Sequence, residues 1–392
     1  MTSRYGLDAD LVERMVEVRR HLHRHPELAN EEVETQRFLR QALHTAGFHD
    51  VGVVAGTGLY LDIVGGAGAS GKMLAIRADL DALPISEQAD VAFRSTNDGM
   101  MHACGHDAHA AMVFAAALEL NRTRDQFAGT VRVIFQPAEE DEPLGGRRVV
   151  REGLLDDVDA TIGMHVDPYT PTGVVAVGPG PYTLACDIFD ITITGEPGHA
   201  AKPNEAVDAI AVGAAIVGEL QKIVARETDP FDPLIVSITN FVGGTGAYNI
   251  LAGSVTMKGT IRSANEQTRN RAQRRVGEIS HAIAAAHGAT AEFCVVRGEP
   301  PVVNDQSMSE LIVRAVTEVG GADAVIAAPG WTVADDFGFF SEKRPSVYFR
   351  LGIRNAAAGS TFPIHHPKFL LDEAAMPLGA ATLIAAARLF LA

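Results

Sequence analysis

The sequence predicts an α/β protein interrupted by an inserted α+β domain, and three observations carry that expectation. Between residues 51 and 165, short β-branched runs alternate with helical patterns, the order of a layered fold with a mixed, mainly parallel sheet and helices on both faces. From Cys186 to about residue 298 the order changes to β-α-β-β-α-β, the signature of a ferredoxin-like sandwich. After Pro300 the α/β character returns. The expected division is therefore 1–185 with 299–392 for the larger domain and 186–298 for the insertion.

Each element has a local reason. Leu11, Met15, Val18 and Leu22 recur at helical spacing, and Pro26 breaks the pattern before Glu32–Leu43 resumes it and Gly47 ends it. Val51–Val54, Gly58–Val64 and Met73–Arg77 read as strands. Gly65–Gly71 reads as a flexible turn; it lacks the Lys-Ser/Thr of a phosphate loop and opens no apolar helix. Ala110–Leu120 is Ala-rich and almost wholly apolar, which predicts a buried helix. Thr130–Phe135 and Ala160–His165 read as strands, with a helix over Gly146–Glu152 between them. In the insertion, Asp187–Thr194, Leu234–Val242, Val255–Ile261 and Ala291–Val296 read as strands and Glu205–Arg226 and Gln267–His287 as helices. Met308–Val319, Ser346–Leu351 and Asp372–Ala392 complete the chain as helix, strand and helix.

Composition narrows the function. The 392 residues are 47% hydrophobic and 21% charged, as in a globular chain. With 33 Lys and Arg against 49 Asp and Glu, the net charge of −16 argues against nucleic acid or an anionic membrane as partner. The charged N-terminus does not read as a signal peptide, and no apolar run suggests a membrane span. Three cysteines, Cys104, Cys186 and Cys294, make no disulfide framework and fit a reducing cytoplasm.

The chemistry concentrates in a few places. Met101–His109, MHACGHDAH, offers three histidines, a cysteine and an aspartate; a thiolate beside imidazoles suits zinc or another late divalent ion. Asp107 could instead cap the following helix. Cys104 and His106 are two apart and share no helix face, so they would chelate from a loop or helix start, with Gly105 letting the backbone bend. Gln136–Asp141, QPAEED, sets two adjacent carboxylates after a strand, where one can ligate and the other act as a base. His165 and His365-His366 also follow strands, giving enough donors for two ions. In the insertion, His199 sits in the loop GEPGHAAKP, and Asn249 and Arg262 flank a strand; an Arg can hold a carboxylate with two hydrogen bonds. Cys186 and Cys294 read as small core residues at strand edges. Gly-x-Ser-x-Gly, His-Glu-x-x-His and a Rossmann fingerprint are absent.

In these residues, with HRHPELANEE, RADLDALPI, NILAGSVTMKGTIR and IHHPKF, the chain resembles a family of metallo-amidohydrolases. That family includes hippurate hydrolase, N-acyl-amino-acid amidohydrolase and the indole-acetyl-amino-acid hydrolases, within the wider clan of carboxypeptidase G, aminoacylase-1 and succinyl-diaminopimelate desuccinylase. The resemblance covers nearly the whole chain. It implies a catalytic domain holding two divalent ions (zinc, manganese, cobalt or nickel) and an inserted domain that forms a homodimer. It also implies hydrolysis of small N-acyl amino acids, with dipeptidase or carboxypeptidase activity and a silent metal-binding protein as alternatives. By motif, it makes Cys104, His106, Glu140, His165 and His365 the metal ligands and Glu139 the general base. Asp81 becomes a carboxylate beside the metals, His199 a residue completing the partner's site, and Asn249 and Arg262 groups near the substrate carboxylate. The family has Glu-Asp-Phe where this chain has Asp335-Asp336-Phe337, and His366 competes with His365, which the register from Pro367 favours.

Overall fold

The computed structural model describes residues 3–68, 71–327 and 330–392, and divides into two compact units: Met1–Tyr182 with Val302–Gly330 and Asp336–Ala392, and Thr183–Pro301 with Trp331–Asp335. Residues 69 and 70 of the expected turn at 65–71 lie outside the described residues.

The first unit is built on an eight-stranded sheet. Its strands lie in the order Gly52–Val54, Gly58–Val64, Thr130–Gln136, Met73–Asp79, Ala160–Pro171, Ser346–Arg354, Val175–Val177, Val325–Ala327. The four central strands, Thr130–Gln136 to Ser346–Arg354, are mutually parallel, and antiparallel pairs lie on both sides of them. These four strands read as near-continuous apolar runs because both faces are covered. On one face, Met15, Val18 and Leu22 of the helix Ala9–Arg24 join the apolar side chains of His106–Arg122, Gln306–Gly320 and Met376–Leu391 in one core. On the other, Val149 and Phe340, from the helices Gly145–Arg151 and Gly338–Lys343, pack with Phe337 and Tyr348. The closing segment Glu373–Leu391 is long and apolar enough to cross a membrane by composition alone, but 72% of it is buried inside the protein, as in a core helix.

The second unit has a four-stranded antiparallel sheet in the order Leu234–Gly243, Ser254–Ser263, Ala185–Thr194, Thr290–Arg297. The helices Ala209–Glu227 and Glu266–Ala286 cover one face, capped by the Asp208 and Asn265 side chains. This is the ferredoxin-like arrangement expected from the β-α-β-β-α-β order. Trp331–Asp335 joins this unit although it follows the return to α/β sequence; the Leu184 N–H donates to Val333 O at 2.9 Å.

Two expectations change. Helix Ala209–Glu227 starts four residues after Glu205, because Pro203–Glu205 forms a separate 3-10 turn and Asp208 supplies the cap. Cys294 is exposed and Cys186 half-buried, so neither is a core residue. On the edge strand Thr290–Arg297, Ala291 is buried against the helices while Cys294 lies on the open face, as a period of two requires.

Candidate metal centre

Parallel strands align their carboxyl ends, and the chemistry gathers there. Asp81 follows Met73–Asp79, Glu139 and Glu140 follow Thr130–Gln136, and His365 follows Ser346–Arg354. His165 was expected at a strand end, but its strand runs on to Pro171 because Ser346–Arg354 keeps pairing beside it, with Arg350 opposite His165. Cys104 and His106 arrive from the start of the helix His106–Arg122. Gly105 makes that turn at φ 93°, where a Cβ would come within 2.5 Å of Val166 Cγ2, so glycine is required.

The donors meet in overlapping groups whose ligand atoms lie within 4.8 Å of one another: Cys104, His106 and His165; Cys104, Glu140 and His365; His106, Glu139 and Glu140. Cys104 Sγ is 3.3 Å from His165 Nε2, and Glu140 Oε1 is 3.2 Å from His365 Nε2 without making a hydrogen bond. Two ligands of one tetrahedral zinc stand roughly 3.5 Å apart, so these spacings fit a shared ion. Hydrogen bonds at the far side of each ring aim the other nitrogen into the site. His106 Nδ1 lies 2.9 Å from Asp81 O, and His165 Nδ1 lies 2.7 Å from Val166 O. A carbonyl can only accept, so both rings carry hydrogen on Nδ1 and turn Nε2 toward the site, where on His106 a metal would take the place of a proton. His106 Nε2 and Glu140 Oε1 are buried with no hydrogen-bond partner, as ligand atoms facing a cation would be.

Electrostatics favour a cation. Burial, then the charges of Glu140, Glu139 and Asp79, hold the Cys104 thiol well above its ordinary value, so a bound cation is what would ionise it. Burial pushes His106 down, but the charges and hydrogen bonds of Asp79, Asp81 and Glu140 outweigh it and raise the ring to about 10. Burial and the neighbouring His109 and His106 hold His165 well below its ordinary value, which keeps the ring neutral, as a metal ligand must be. Asp81 touches two candidate ligands: Oδ2 accepts the Glu140 N–H at 2.9 Å and Oδ1 lies 3.3 Å from His106 Nδ1.

Other polar residues prove to be supports. His109 has both nitrogens engaged, Nδ1 with Asp79 Oδ1 at 2.6 Å and Nε2 with the Val166 N–H at 3.0 Å. Asp107 does not cap its helix; it lies in the first turn, paired with Arg19 at 2.8 Å and His23 at 2.9 Å. His102 packs near His23, ring centroids 6.4 Å apart, and burial lowers it to about 4. His366 stacks on Phe362 and accepts the Lys368 N–H, leaving His365 as the histidine beside Glu140. Sequence reasoning missed a buried network under the site: Arg77 donates to Gln136 at 2.9 Å, Asp79 at 2.7 Å and Asp336 at 2.7 Å. The Asp336 N–H in turn donates to Glu139 Oε1 at 3.4 Å. The signal was an Arg and an Asp inside the otherwise apolar strand Met73–Asp79, positions that remain buried only when paired.

In the second unit, His199 and Asn249 are neighbours. His199 pairs with Ile250, and the Ala200 N–H donates to Asn249 O at 3.0 Å. The Ala201 N–H donates to His199 Nδ1 at 3.1 Å, which leaves Nε2–H as a donor on an exposed ring. Arg262 lies near the far end of the strand Ser254–Ser263, eight residues from Ser254, or about 26 Å along extended chain. Within one chain, Asn249 and Arg262 therefore do not flank a common point.

One test belongs to Cys104. Cys104→Ala is expected to lower bound metal and activity together, whereas Cys186→Ala and Cys294→Ala leave both unchanged. Metal analysis showing the same stoichiometry in Cys104→Ala would remove this sulfur from the ligand set.

Comparison with known proteins agrees with the geometry. The family model Peptidase family M20/M25/M40 matches residues 75–389. An N-acyl-L-amino acid amidohydrolase of Geobacillus stearothermophilus is 42% identical over 286 residues, covering 73% of this chain and 76% of that protein. Thermostable carboxypeptidase 1 of Saccharolobus solfataricus is 37% identical over 370 residues, 93% of this chain and 92% of that protein. A solved Bacillus subtilis structure, described as a dinuclear metal binding peptidase from the M20 family, superposes with a TM-score of 0.86 at 35% identity, covering 98% of this chain and 99% of its own. With a family match over most of its length and relatives above 30% identity along more than nine-tenths of it, the chain belongs to peptidase family M20/M25/M40 and is a metal-dependent hydrolase of amide bonds.

Proposed function

We propose that the chain hydrolyses N-acyl amino acids at a two-ion centre held by Cys104, His106, Glu140, His165 and His365. The observation that carries the reading is that two adjacent carboxylates from one turn reach one site and take different partners there. Glu140 Oε1 faces His365 and His106, while Glu139 Oε1 accepts the Asp336 N–H and lies in the His106, Glu140 group. Two divalent ions, when bound, make water more acidic and polarise an amide carbonyl. Glu139 takes the proton of the attacking water and returns it to the leaving amine nitrogen, so the proton is conserved over the cycle. Asp81 holds His106 and the Glu140 backbone in place. His199, with Nε2–H outward, donates to the oxyanion in the partner subunit's site. Arg262 of one protomer, whose guanidinium lies in the field of Glu299, and Asn249 of the other bind the substrate's carboxylate.

The name of the Geobacillus relative supports acyl amino acids, and that of the Saccharolobus relative favours a carboxypeptidase as the second reading. Hippurate-like substrates compared with dipeptides bearing a free amine separate the two; faster turnover of the dipeptides would overturn the first. The second unit is proposed to form a homodimer through its edge strand Leu234–Gly243, where Phe241 and Val242 are exposed. Three free cysteines support a cytoplasmic location, and the net charge of −16 supports small molecules over nucleic acid or membrane as partners.

Removing metal should also be visible without substrate. Glu139 and Glu140 lie in one group with His106, so loss of the cations leaves two carboxylates closely opposed. Ions at 100 times their Kd would stabilise the fold by about 2.7 kcal/mol. Exhaustive chelation is expected to abolish hydrolysis and lower the Tm by a few degrees or more, with both restored by a divalent ion. Unchanged activity in verified metal-free protein would overturn the metal mechanism.

A further inference from the structure

We propose that Glu32 is a positioning residue for the hydrolysis, its buried carboxylate fixing the turn from which Glu139 and Glu140 diverge. The proposal rests on the reading of Glu139 as general base.

Glu32 precedes the helix Val33–Thr45, where an acidic side chain ordinarily caps its own helix, but its carboxylate makes no such bond. Instead it crosses to the strand-end turn. Oε1 accepts the Ala138 N–H at 2.7 Å, and Oε2 accepts the Thr57 hydroxyl at 2.5 Å. The residue is wholly buried, and no cation pairs with it among the described residues. A buried carboxylate without a cation is costly to keep, so its hydrogen bonds must secure something.

What they secure is Ala138. This residue sits at φ 50°, a left-handed conformation unfavourable for any side chain with a Cβ. Its N–H is held by Glu32 and its carbonyl accepts the Gly145 N–H at 2.7 Å, so both faces of the turn are tied. Thr57 is kept close because Gly58 packs against Pro137; a Cβ on Gly58 would lie 2.6 Å from Pro137 Cδ. The same segment also braces the other side of the site. Leu28 bridges to Ala82, and the Ala82 N–H donates to Glu27 O at 2.8 Å, next to Asp81. Residues 27–32 thus hold the chain on both flanks of the metal centre, and Glu32 sets the direction in which Glu139 leaves the backbone.

The test is a double-mutant cycle on purified, metal-loaded enzyme. Glu32→Ala is expected to lower kcat about 10- to 100-fold, with KM within about threefold and metal stoichiometry unchanged. Glu32→Gln, which keeps an acceptor for Ala138 and can donate to Thr57, should recover most of the rate. In the Glu139→Gln background the further loss on removing Glu32 should be under about twofold, because both changes act through one group. If Glu32→Ala yields no folded protein, Glu32→Leu keeps the bulk, removes both acceptors and enters the same cycle. A full additional loss in the Glu139→Gln background, or loss of metal in proportion to activity, would overturn the positioning role. Near-normal activity of Glu139→Gln alone would overturn the base itself, a separate result.

Discussion

Glu139→Gln is expected to keep its metal and lose hydrolysis by roughly 10²–10⁴-fold, the usual contribution of a general base within reach of its proton. The amide keeps the shape of the carboxylate, and its oxygen can still accept the Asp336 N–H that Glu139 Oε1 accepts at 3.4 Å. What it removes is the ability to take a proton from water and return it to the amine. The control lies one residue away. Glu140→Gln changes the carboxylate that faces His365 and His106, so it should lower metal content as well as rate. Comparing kcat with bound metal for the two variants assigns the roles. A Glu139→Gln enzyme within a few-fold of wild type would sink the base assignment, and metal loss in Glu139→Gln matching that in Glu140→Gln would make both residues ligands.

Much of this site was legible in the sequence because its donors come in dense, ordered clusters. MHACGHDAH and QPAEE place Cys104, His106, Glu139 and Glu140 within a few residues of strand or helix ends, and backbone geometry leaves little choice about where they meet. Periodicity likewise located the long helices and central strands, since Met15, Val18 and Leu22 must face a core. The short strands Val175–Val177 and Val325–Ala327 were not legible; three residues carry no period. His165 was misplaced at a strand end because apolar composition stops there, while pairing with Ser346–Arg354 continues to Pro171. Long-range partners were hidden for a different reason. Arg77 reaches Asp336 across 259 positions and Glu32 reaches Ala138 across 106, and no local pattern encodes such a meeting. A buried charge announces that it needs a partner without saying which one.

The second large effect concerns His199 and the proposed dimer. His199→Ala and Glu139→Gln are each expected to be nearly inactive alone, yet mixing them should restore about a quarter of wild-type activity. The geometry of the inserted unit motivates this. His199 and Asn249 stand beside the start of the strand Ser254–Ser263, and Arg262 lies near its end, about 26 Å away along the chain. A small acyl amino acid cannot touch both ends in one protomer. A twofold axis through the exposed edge strand Leu234–Gly243, antiparallel to Ser254–Ser263, would bring the start of one copy's strand toward the end of the other's. The function proposed above pairs Glu139 of one protomer with His199 of its partner. After random exchange, roughly half the dimers are mixed, and each mixed dimer has one site with both residues intact and one with neither. Activity is measured after subunit exchange is verified with differently tagged protomers. Absence of recovery despite exchange would place His199 in its own protomer's chemistry or outside the reaction altogether.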